Sequence, residues 1–156
     1  MINFLNKAHL DTEKILATYI YALFLIPLFF GIFIVFASSM TKQTINVFLN
    51  ATPLVAIDMI VAISDFIMGY YIWLKRDLIL ERKGNYRFLM FSQIISQLMV
   101  GNLFCVVLAL FGMIRISDQP NSIEAQSNFI KVPALIFLTI FGFCLVLTIS
   151  IFIRNR

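Results

Sequence analysis

Two carboxylic acids stand where water is scarce. Asp58 and Asp65 both fall inside one long apolar run, seven residues apart. On a helix that spacing puts them on one face, about 10.5 Å apart along the axis. An ionisable side chain within a membrane is costly and is a functional hypothesis by default. No Lys or Arg lies inside any of the long apolar runs to pair with either acid. A stepped pair of acids suits the movement of protons or small cations. The same acids, carrying their protons, also suit hydrogen bonds that hold helices together. The two are poor candidates for a shared-proton protease dyad, whose carboxylates must lie about 3 Å apart.

Gln93 and Gln97, with Gly101, follow an i, i+4, i+8 line in the next apolar run. Counting inward from Leu74 and from Phe88, Asp65 and Gln97 are both about 13.5 Å deep. A protonated Asp can donate to a Gln carbonyl and accept from its amide. Asp65 is therefore expected to bond Gln97. Asn102 is near Asp58 in depth but points away from the Gln strip.

Other reactive residues offer less. Cys105 and Cys144 differ in depth by about 12 Å, too far for a disulfide, and there is no C-x-x-C. His9 is the only His, which excludes a His-rich metal site or a bis-His haem. No P-loop, GxGxxG, GxSxG or HExxH motif is present, and no cofactor is implied. Asn50-Ala51-Thr52 fits a glycosylation sequon, at the membrane border and before a Pro.

The elements that must position these residues follow from composition. Of 156 residues, 61% are hydrophobic and 13% charged, against about half and a quarter in soluble domains. That excludes a soluble globular protein. With two Cys and seventeen Phe, it excludes a disulfide scaffold and a disordered chain as well. Four apolar stretches, about 15–37, 53–74, 88–114 and 132–153, are each long enough to cross a bilayer as a helix. None alternates polar and apolar residues as a barrel strand would. The expected fold is all-α: a single polytopic membrane domain of four transmembrane helices in an antiparallel bundle.

Lys and Arg set the orientation. Lys7, Lys14, Lys75, Arg76, Arg82, Lys83, Arg87, Arg154 and Arg156 fall on one side of a four-span chain. Lys42, Arg115 and Lys131 fall on the other. Both termini are therefore expected in the cytoplasm, in a bacterial cytoplasmic membrane. The basic residues suit anionic lipid rather than nucleic acid. The 75–87 loop, with Lys75, Arg76, Arg82, Lys83 and Arg87, is a candidate contact for lipid or a cytoplasmic partner, and Gly84-Asn85 is its turn signal. Tyr19, Tyr21, Tyr70, Tyr71, Trp73 and Tyr86 are expected at headgroup depth.

Further expectations concern local features. Residues 1–14 have an apolar side of Ile2, Phe4, Leu5 and Leu10 that suits a surface helix or a frayed tail. Asp118-Gln119-Pro120-Asn121 reads as a turn in the 115–131 loop, which also holds Glu124. Pro27 is expected to kink the first span. Val35-Phe36-Ala37 before Ser38 resembles a signal-peptidase site, but the preceding run is long and Asp11 and Glu13 precede it.

Three functions stay open. One is a non-enzymatic accessory, regulatory or immunity-type protein acting through another membrane component or a homo-oligomer. The second is a proton- or cation-coupled transporter or channel subunit using Asp58 and Asp65. The third is a membrane enzyme, for which no nucleophile–base or metal set is visible.

Overall fold

A computed structural model describes residues 12–115 and 128–154. Among them every regular element is a helix. Three are long and apolar enough to cross a membrane: α1 (Thr12–Met40), α3 (Pro53–Leu74) and α7 (Asn128–Arg154). A short α2 (Ile45–Ala51) joins the first two, and α4 (Arg76–Glu81) follows α3 almost directly. Two shorter helices, α5 (Lys83–Met99) and α6 (Leu103–Arg115), lie between α4 and α7. The residues expected to carry His9, the N-terminal apolar side and the Asp118–Asn121 turn lie outside the described ones.

The run 88–114, expected as one continuous span, is instead a helical hairpin. Its turn is chemically well specified. Gly101 has φ +74, a left-handed conformation that glycine adopts without steric cost. The Asn102 N–H donates to the Gln97 carbonyl at 2.9 Å, and the Gly101 N–H to the Leu98 carbonyl at 3.2 Å. That pairing closes the C-terminus of α5 as a Schellman motif. The Asn102 side chain then accepts from the Cys105 N–H at 3.3 Å and so caps α6. The strip of Gln93, Gln97 and Gly101 thus ends at Gln97, since Gly101 is the turn itself.

α6 folds back against α5. Gly112 lets them meet closely, for a Cβ there would lie 2.7 Å from the Tyr86 hydroxyl and 3.0 Å from the Met90 sulfur. The turn expected at Gly84-Asn85 falls at Arg82, which is extended between α4 and α5. The Asn85 amide ties the two helices by donating to the Leu78 carbonyl.

α3 packs on α1 and on α7, while α5 packs on α7, and α6 on α1. Gly69 brings α3 close to α1, where a Cβ would touch that of Leu23 at 3.0 Å. Pairings along the bundle give its directions. Glu13 pairs with Arg76, so the start of α1 is level with the end of α3. The Tyr71 hydroxyl donates to the Phe129 carbonyl, so the start of α7 is at that same level. Arg154, near the end of α7, shares a depression with Ala51–Val55 at the start of α3.

The two ends of the described chain, Thr12 and Arg154, are therefore at opposite ends of the bundle. This corrects the expectation that they share a face. A hairpin enters and leaves at one level, so it adds no crossing. Arg115 and Lys131 consequently join Lys14, Lys75, Arg76, Arg82, Lys83 and Arg87 at one end. Lys42 and Arg154 lie at the other.

Candidate functional site

The hairpin places two glutamines in the middle of the bundle. α5 is buried along Asn85, Leu89, Ser92, Gln93, Ser96 and Gln97, because α3, α6, α7 and α1 surround it. Gln97 and Gln93 sit on adjacent turns and reach different helices. The Gln97 amide donates to Asp65 Oδ1 on α3 at 2.5 Å. The Tyr19 hydroxyl on α1 donates to Gln93 Oε1 at 2.9 Å. Both bonds are fully buried, with Asp65 only 3% exposed. Hydrogen bonds between membrane helices contribute about 0.6 kcal/mol each on average, so their value here lies mainly in fixing the hairpin's depth.

The expected Asp65–Gln97 pair is thus present, with one of its two bonds. Among the described residues Gln97 Oε1 has no partner, and neither do Gln93 Nε2, Ser96 Oγ or the Tyr86 hydroxyl. Unpaired buried polar atoms are costly, at about 1–3 kcal/mol each. A proton on Asp65 that turned toward Gln97 Oε1 would satisfy one of them.

Asp58 is not brought to this cluster. It shares the Asp65 face of α3, yet it is exposed. The hairpin explains the difference. α5 is 17 residues long, or about 25 Å, and its last turn is held level with Asp65. Beyond that level the hairpin no longer covers this face of α3, and Leu54 on the same face is exposed too.

Tyr19 and Tyr86 depart from the expected headgroup placement, since both are fully buried. Tyr19 is the residue of this cluster that sequence reasoning missed. Its signal was a polar tip at a depth matching Gln93, but a Tyr near a span end reads first as an interface anchor. Tyr21, Tyr70 and Trp73 are exposed as expected, with the last two rings 6.0 Å apart. Cys105 and Cys144 are free and buried. Among the basic loop residues, Arg76 is held by Glu13, while Arg87 is exposed. Lys75, Arg82 and Lys83 lie close by in the α3–α4–α5 corner.

Away from the cluster, an apolar groove of about 380 Å³ runs between α1 and α3. Pro27, Phe30, Gly31, Met59, Ile63 and Phe66 line it. Among the described residues no three of His, Cys, Asp and Glu gather into a metal-holding set.

The fold and its buried polar centre define a class: an all-helical protein with three helices able to span a membrane and a polar-cored hairpin between them. Beyond the class, no family model, curated protein or solved structure matches the chain.

Proposed function

We propose that the chain is a non-catalytic integral membrane protein of the accessory, regulatory or immunity type, acting through another membrane protein. The observation that carries this reading is the contrast between its two acids and its surfaces. Asp65 is closed between helices and bonded to Gln97, which suits a structural tie rather than a conducting step. The other half of the bundle offers apolar helix faces and the α1–α3 groove, which suit another membrane protein's helix. Three crossings with the basic end in the cytoplasm satisfy the positive-inside bias. The outer end then carries Met40, Pro53 and Arg154.

Orientation is tested by labelling Lys14→Cys and Ile153→Cys with an impermeant maleimide, in a background with Cys105→Ala and Cys144→Ala. The two sites should label from opposite faces of the membrane. The functional reading is tested with the purified chain in proteoliposomes and in mild detergent extracts. Expected are no proton or alkali-cation flux, and a stoichiometric complex with a membrane protein whose activity changes when the chain is removed. Flux abolished by Asp65→Asn would replace this reading with transport.

The transport reading keeps one favourable observation. Asp58 is exposed on the same face of α3 as the buried Asp65, so the two acids form a step from an open position to the polar cluster.

A further inference from the structure

The hairpin fills the space between α1, α3 and α7 at the basic end only. In the other half α1 and α7 each extend well past the hairpin turn, with α1 29 and α7 27 residues long. Both pack on α3, but no extended packing joins them to each other. What remains is a cleft with α3 as its back wall, α1 and α7 as its sides, and the Gly101–Asn102 turn as its floor. Leu98, Leu103 and Phe104 around that floor are exposed, as are Leu54 and Asp58 on the back wall.

Asp58 is the charged group of this cleft. It lies five residues inside the start of α3, about 7.5 Å from that helix end. A single methylene does not let a carboxylate reach headgroup depth, as the long stems of Lys and Arg do. Among the described residues no hydrogen bond or ion pair reaches it. The only described cations at that end are Lys42, in the turn after α1, and Arg154, in the last turn of α7. Lipid chains would fill the cleft's apolar walls but leave the acid without a counterpart. A carboxyl at such a site is retained at a cost that an ionic or strongly hydrogen-bonded partner would offset.

We propose that this cleft receives one transmembrane helix of a different protein, apolar except for a single Lys or Arg about five residues inside its outer end, and that Asp58 is its counter-charge. The proposal rests on the partner-binding reading and names its site and the partner's chemistry. The complementarity is of shape and of charge: the incoming helix continues the column that the hairpin starts, and one cation meets one acid. A second copy of this chain is a poor occupant. In a parallel copy Lys42 and Arg154 stand at the rim, not at the level of Asp58.

The test uses the full-length chain in phosphatidylcholine vesicles with synthetic Leu-rich transmembrane peptides as probes. One peptide carries a single Lys five residues from one end, the second Leu at that position, the third Glu. Association is read by energy transfer between labelled peptide and protein. The Lys peptide is expected to bind about tenfold more tightly than the Leu peptide, and the Glu peptide no better than Leu. Asp58→Asn, which keeps the shape, should abolish the preference, and Asp58→Glu should keep it. Unchanged helical circular dichroism and continued protection of Cys105 from maleimide show that each variant is folded.

Equal binding of the Lys and Leu peptides overturns the proposal. So does a preference that survives in Asp58→Asn, or an Asp58-dependent self-association that excludes the peptide. If the preference is absent while the chain still forms its complex with a membrane protein, the assignment to Asp58 falls and the partner-binding reading stands. If vesicles show Asp65-dependent flux, the partner-binding reading falls, whatever the peptides do.

Discussion

The two halves of the bundle share the same three long helices but not the same interior. At the basic end α5 and α6 enter the bundle and bring Gln93, Ser96 and Gln97 with them. There α1 is buried at Leu16, Tyr19, Ile20 and Leu23. Past the hairpin turn, Leu28, Phe29, Ile32, Phe33 and Phe36 of the same helix are exposed. The acids divide in the same way: Asp65 accepts from Gln97, while among the described residues Asp58 has no hydrogen bond or ion pair. A seven-residue step along one helix face therefore separates a buried, bonded acid from an exposed one. The lesson is that an acid in an apolar helix cannot be interpreted without knowing what stands opposite it.

The comparison breaks most directly at the glycines. Gly69→Leu forces a side chain against Leu23, whose Cβ is part of the facing helix and cannot swing away. A loss of about 3 kcal/mol is expected, as for severe overpacking, measured by unfolding in mixed micelles. Gly112→Leu should follow closely, because Tyr86 and Met90 must move. Gly31, which has nothing within 4 Å of a Cβ, is the control in the open half. Gly31→Ala should leave stability unchanged or raise it by up to about 1 kcal/mol through helix propensity. Equal losses at Gly31 and Gly112 would show that both halves are packed.

The acids supply a second, smaller contrast. Asp65→Leu leaves the buried Gln97 amide without an acceptor and should cost about 1–3 kcal/mol. Gln97→Leu in addition should recover part of that loss, since two apolar groups need no bond. Asp58→Leu should instead leave the isolated protein as stable or slightly more so, because a solitary acid is removed from an apolar setting. Losses of the same size at both positions would end the distinction between them. The smallest loss is expected for Tyr19→Phe, which removes only the donor to Gln93. It should cost about 0.5–1.5 kcal/mol, read in the same unfolding assay.

Much of the architecture was legible in residue order. The runs 15–37, 53–74 and 132–153 fall within α1, α3 and α7, because a long unbroken apolar stretch has few alternatives to a helix in a bilayer. Pro53 opens α3 as a first-turn proline should. The Asp65–Gln97 pair was also within reach, by counting equal depths from Leu74 and Phe88. That count survives because those two starting points are level in the hairpin as in a full span.

The third run shows where such reasoning stops. Gly84-Asn85 and Gly101-Asn102 are the same dipeptide with opposite outcomes, the first inside α5 and the second the turn that ends it. Hydropathy around Gly101 favours continuation, since Leu98, Val100 and Leu103 are apolar. Local chemistry alone does not choose, because a glycine is tolerated both in a membrane helix and at its end.

The sequence by itself determined that this is a helical membrane protein, which stretches are long enough to cross, and that two acids lie unaccompanied on one helix face. Those properties follow from composition and from the 3.6-residue period, which need only one helix at a time. Tertiary structure decided that the third stretch doubles back, that the two ends of the described chain part, and that the hairpin covers Asp65 and leaves Asp58 open. These depend on contacts between residues distant in the chain: Gln97 with Asp65, Gly112 with Tyr86, Tyr71 with Phe129. Each requires two helices to meet at one level, and no single segment encodes that.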